Sequence, residues 1–173
     1  MNKTLLLVAV LSLFGANASA QQYFTKTTPG KYIYKVVDYS PAPGQFVNKL
    51  PMFETGDDAT KMAQKCTESL ANNKGDLVTL GAFGGSIIFH FDHSVANVAG
   101  QKDFLIEGNA FEGNSEPGIV MVSKDVNRNG IADDPWYELS GSADRETPNK
   151  LVYGYEVTYT SSAMQDIPWT DNK

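Results

Sequence analysis

One loop restricts this chain more than any other stretch. Residues 123–139 read SKDVNRNGIADDPWYEL, with Asp125, Asn127 and Asn129 at every second position, then Gly130, then Asp133 and Asp134. Side chains of this kind bond to their own backbone and favour turns, so neither a continuous helix nor a continuous strand runs through them. The flanks GIVMVSK and PWYEL carry the β-branched and aromatic residues that suit a pleated sheet. A loop of hard oxygens between two strands is therefore the expected pivot of the fold.

With Asp125 as position 1, Asn127 and Asn129 fall at positions 3 and 5, Gly130 at 6, the Ile131 carbonyl at 7 and Asp133 at 9. These are the first nine places of an EF-hand calcium loop, in which alternate side chains and one carbonyl surround the ion while glycine permits the turn. The match then stops. Position 12, where a bidentate Glu belongs, is Trp136, and the flanks are strand-like rather than helical. The expectation is a structural Ca2+ site in a β-context, held by Asp125, Asn127, Asn129, Ile131, Asp133 and Asp134, with Glu138, Glu112 or Glu116 as further donors. The competing reading is an Asx-rich turn that needs no metal.

The N-terminus carries Lys3, an apolar run from Leu5 to Phe14, and the small residues Ala18, Ser19 and Ala20. That order predicts a secretory signal peptide over residues 1–20, hence an exported protein that is periplasmic, cell-surface or secreted. The run is too short to span a bilayer, and no later one would, so the mature chain has no expected transmembrane segment. No Cys follows the run to accept a lipid. The chain has 14 Lys and Arg against 20 Asp and Glu, net −6, and losing Lys3 makes it one unit more negative. This acidity argues against nucleic acid and against an anionic membrane surface.

The remainder reads as an N-terminal strand region, 21–40, followed by the rest of a single domain over 41–173. KYIYKVVDYS alternates like a strand, whereas the three prolines of PAPGQFVNKLP confine that stretch to a loop or edge. Acidic residues at the start, Met62, Ala63, Cys66 and Leu70 at helical spacing, and Asn-Asn-Lys-Gly at the end predict one short helix over 57–71, lying on a sheet edge or rim. Further strands are expected in DLVTL, SIIFHFD, KDFLIEGNAF, GIVMVSK, PWYEL and LVYGYEVTYT, with a close backbone approach at GAFGG. The fold class is mainly β, an antiparallel sandwich with one short α-helix.

Catalytic patterns are sparse. GxSxG and HExxH are absent, GAFGGS lacks a phosphate-loop Lys, and Cys66 has no His beside it. On a strand His93 points away from His90 and Asp92, so the three make a poor zinc site. Trp136, Tyr137 and Trp169 are candidate stacking surfaces for a sugar or a flat apolar ligand.

The runs PAPGQFVNKLP, GDLVTLGAFGGSIIFHFDHSVANVAGQKDFLIEGNAF and SEPGIVMVSKDVNRNGIADDPWYELSGS resemble a family of Bacteroidetes secreted cell surface proteins, some with PKD-like domains. More distantly they resemble galactose-binding-like, jelly-roll β-sandwiches. The likeness spans residues 40–170. It implies a non-catalytic surface protein that captures a nutrient, a glycan or a cobalamin-like ligand; the alternative is a structural or adhesive partner of an outer-membrane protein assembly, with a glycan-active enzyme last. Relatives run past DIPWTDNK, which implies a short or C-terminally truncated member. The family's surface members are often lipoproteins, and the missing lipid-acceptor Cys sets this chain apart from them.

Overall fold

The computed structural model describes residues 5–9, 28–72, 75–114, 116–127, 129, 131–145, 152–162 and 166–173. The chain is mainly strands with one short helix, as its patterning predicts: β1 Leu5–Ala9, β2 Lys35–Ser40, α1 Ala59–Leu70, β3 Ser86–His90, β4 Gly118–Ser123, β5 Trp136–Glu138, β6 Val157–Tyr159 and β7 Trp169–Asp171. The first five strands form one sheet in the order β2-β3-β1-β4-β5, and β6 and β7 form a separate pair. β2·β3, β4·β5 and β6·β7 are antiparallel, whereas β1 runs parallel to both of its neighbours.

The apolar centre lies between β2, β3 and α1. Ile87 and Phe89 alternate inward on β3, Val36 and Tyr39 meet them from β2, and Met62, Ala63 and Cys66 come from the helix. Asp58 starts that helix by accepting the Lys61 N–H at 2.7 Å, which satisfies a donor the first turn leaves unpaired. The helix rides on the outer strand of the sheet, the edge position expected for its narrow apolar stripe. There Thr67 Oγ1 accepts the Val36 N–H at 2.9 Å, beside a register shift between Val36 and Asp38. An edge strand with a covered N–H is a poorer template for unwanted pairing.

The glycines of GAFGG make the expected close approach. Ala42 N–H donates to the Leu80 carbonyl at 3.0 Å, and a Cβ on Gly81 or Gly85 would run into the carbonyl oxygens of Ala42 or Leu80. Tyr39 fastens the same region, its hydroxyl donating to the Thr79 carbonyl at 2.8 Å.

Three stretches depart from the sequence reading. DLVTL forms no strand, and its Leu80 enters the core from a loop. KDFLIEGNAF forms no regular strand; Phe104 and Ile106 turn half inward, but Leu105 is 75% exposed and the segment pairs only through an isolated Phe111–Asn114 bridge. Among the described residues no neighbouring strand pairs with it, and a strand needs a neighbour to bond. The C-terminal tail, in contrast, has no period yet forms β7 against β6. The predicted signal-peptide cleavage end at Ala18–Ala20 lies outside the described residues, as do Gly130 and Leu151. Among the described residues, no helix is long and apolar enough to cross a membrane.

Candidate functional site

The loop joining β4 to β5 is built from short-range bonds. β4 and β5 pair Ser123 with Trp136 and Val122 with Tyr137, so the strands fix both ends of the intervening residues. Ser123 is buried and its hydroxyl donates to the Asp134 carbonyl at 3.3 Å. Asp134 then accepts the Val126 N–H through Oδ2 at 3.0 Å. These two contacts draw the far end of the loop back over its start.

Within the loop one backbone donor serves two of the predicted ligands. The Asn129 N–H is 3.1 Å from Asp125 Oδ1 and 3.0 Å from Asn127 Oδ1, and Asn129 Oδ1 accepts the Ile131 N–H at 2.7 Å. The Asn127 and Asn129 amides donate to the two oxygens of Asp133, at 3.3 and 3.0 Å. The structure thus joins Asp125, Asn127, Asn129 and Asp133 in one connected group and sets Asp134 beside it. Asp125 and Asp134 are half-buried; Asn127, Asn129 and Asp133 are exposed.

The donor chemistry fits a hard cation, because carboxylate, amide and carbonyl oxygens dominate and neither thiol nor imidazole belongs to the group. Among the described residues, no three His, Cys, Asp or Glu side chains cluster as a metal site. Asparagines supply half of the four-residue group. Its internal bonds are also those of an Asx-rich turn. Glu138 sits on β5 opposite Met121, while Glu112 and Glu116 are exposed.

The aromatic candidates do not gather. Trp136 is half-buried and Tyr137 is 62% exposed, and as neighbours on β5 they face opposite sides of the sheet. Trp169 is on β7, in the other sheet, and among the described residues no ring contact ties it to either. β6 and β7 are fixed instead by Tyr159, whose hydroxyl donates to the Phe83 carbonyl at 2.8 Å, and by the edge of Tyr155 against Phe83 at 5.1 Å.

Two features were not legible from local patterns. Asp92 is 5% exposed, accepts the Gly30 N–H at 2.9 Å and lies 2.9 Å from His93 Nδ1. The pair forms because the chain bends after β3, and strand alternation would have separated the two residues. The other is an open groove of about 710 Å³ between β2 and α1, lined in part by Tyr34, Val37, Asp38, Gln64 and Thr67. Its volume is in the range of small-molecule sites. Cys66 points the other way, into the core, fully buried, and burial pushes its thiol up to about 12. A thiol so rarely ionised is a packing group and a poor nucleophile.

No family model matches the chain, and no curated protein is similar enough to carry an inference.

Proposed function

We propose that this chain is an exported, non-catalytic binding protein of the Bacteroidetes cell-surface type, a jelly-roll-like sandwich with a structural Ca2+ between β4 and β5. The observation that carries the reading is the convergence of Asp125, Asn127, Asn129 and Asp133 on one another, with Asp134 closing the loop. Calcium would be held by those side chains and the Ile131 carbonyl, taking the place of the amide donors on Asp133. It stiffens the link between two strands, in a chain whose lone cysteine offers no internal disulfide.

The ligand class is a glycan or a cobalamin-like nutrient. Support comes from the groove between β2 and α1 and from the exposed ring of Tyr137 next to the stiffened loop. Isothermal titration of the exported protein with cobalamin and with a glycan panel, in calcium and again in chelator, tests this. Saturable heat that weakens in chelator is expected. Silence across both ligand sets moves the assignment to a structural or adhesive partner of an outer-membrane assembly, a reading that the strand arrangement around β1 favours on separate grounds.

A further inference from the structure

The five-stranded sheet depends on the segment that export would remove. Leu5, Leu6, Leu7 and Val8 pair with Gly118, Ile119, Val120 and Met121 on one side, and Val8 and Ala9 with Ile88 and Phe89 on the other. Removing β1 from this sheet leaves the pairs β2·β3 and β4·β5 with β3 and β4 one strand position apart and no ladder joining them. Adjacent strands lie about 4.8 Å apart, so the opening would be roughly 9.6 Å wide.

Its walls are not ordinary edges. The Val120 carbonyl accepts from Leu139 N–H, so Val120 addresses the β5 side, and its neighbours Ile119 and Met121 turn their backbone groups into the opening. Buried N–H and C=O groups are almost always paired, and a strand edge that lacks a partner takes one from another chain. The segment seated there, LLLVA, is uncharged and apolar at every position, and so on both faces. The described strands of the mature chain are all placed elsewhere: β2 and β5 form the outer edges and β6 pairs β7. A second processed copy would have no spare strand among these either.

We propose that the opening between β3 and β4 is an acceptor for one extended, uncharged, apolar segment of at least five residues from a different polypeptide. Main-chain bonds to both walls supply affinity. The inference rests on the export reading, which removes residues 1–20, and it gives the structural-partner role a definite surface.

Intact mass of the exported protein separates the two ideas. Loss of residues 1–20 upholds export; their retention overturns it, and the acceptor role with it, because β1 then stays in place. The processed protein is next titrated with a labelled peptide, TLLLVAV flanked by lysines, and with a version carrying Leu6→Pro and Val8→Pro. One-to-one binding, at least tenfold weaker for the proline peptide, with slowed amide exchange at Ile119 and Met121 and a raised Tm, is expected. A processed protein that melts cooperatively only with the peptide also upholds the proposal. It is overturned by a folded processed monomer that ignores the peptide, by a chain that stays unfolded with it, by binding that is indifferent to proline, or by a dimer that already protects Ile119 and Met121.

Discussion

The β2–β3–α1 side and the β4–β5 side of the sheet are held together by different means. On the first, Val36 and Ile87 are 1% exposed and Cys66 is fully buried, within a cluster drawn from two strands, a helix and the loop residue Leu80. On the second, the buried apolar cluster among the described residues is Val95 and Val122 with Phe91 and Phe104 against them, and the long loop is ordered by polar bonds among exposed and half-buried groups. Burial needs no ion, whereas a polar loop in water exchanges its internal bonds for solvent at little net loss. The first side is expected to stand by itself, and the second to respond to what it binds.

The largest effect should therefore come from the first cluster. Ile87→Ala should cost about 2–5 kcal/mol in urea unfolding, since it removes buried methyl groups and leaves a cavity. Val122→Ala should cost less, because fewer apolar neighbours surround it. A loss at Val122 equal to that at Ile87 would break the contrast.

Next in size is calcium. At a hundredfold excess over Kd, a ligand that binds only the folded state stabilises by about 2.7 kcal/mol. Calcium should raise Tm and slow amide exchange between residues 124 and 134, and Asp125→Ala should abolish both while leaving exchange in β2 and β3 as it was. Identical melts with calcium and with chelator would leave the Asx-turn reading standing.

Removing the helix cap by Asp58→Ala should cost about 1 kcal/mol, confined to the first side. Smallest is a pH effect on that side. Lys65 donates to Asp57 at 2.6 Å and to Glu54 at 2.9 Å. The bond from Lys65 holds the Asp57 carboxyl below its ordinary 3.8, and the bonds to Asp57 and Glu54 hold Lys65 above its ordinary 10.5. A lowered acid stabilises above its unfolded pKa and loses that contribution as pH falls through the folded value; a raised base stabilises below its unfolded pKa and loses it as pH rises through the folded value. Tm of Lys65→Met should therefore differ from wild type least at pH well below the ordinary carboxylate pKa and well above the ordinary lysine pKa. A constant difference across that range would show that Lys65 acts through its stem.

The oxygen-rich loop was legible because its signal is local: Asx side chains bond within a few residues of themselves, so spacing alone brings Asp125, Asn127 and Asn129 together. The helix over 59–70 was legible for the same reason, from its cap and its 3.6-residue stripe. The groove beside α1 and the Asp92 contact with Gly30 join residues far apart in sequence, the Asp92–His93 contact depends on a bend, and β7 pairs with β6 from a tail that has no period of its own. KDFLIEGNAF marks the limit from the other side, since its alternation is present and no partner strand stands beside it among the described residues.

The sequence by itself determined the class, mainly β with one short helix, and the chemistry of the loop, because periodicity and side-chain type act over a few residues. Only the tertiary structure decided which strands are neighbours. Ladder bonds are made across space, and the place of Leu5–Ala9 between the β2·β3 and β4·β5 pairs could not be read from its apolar run.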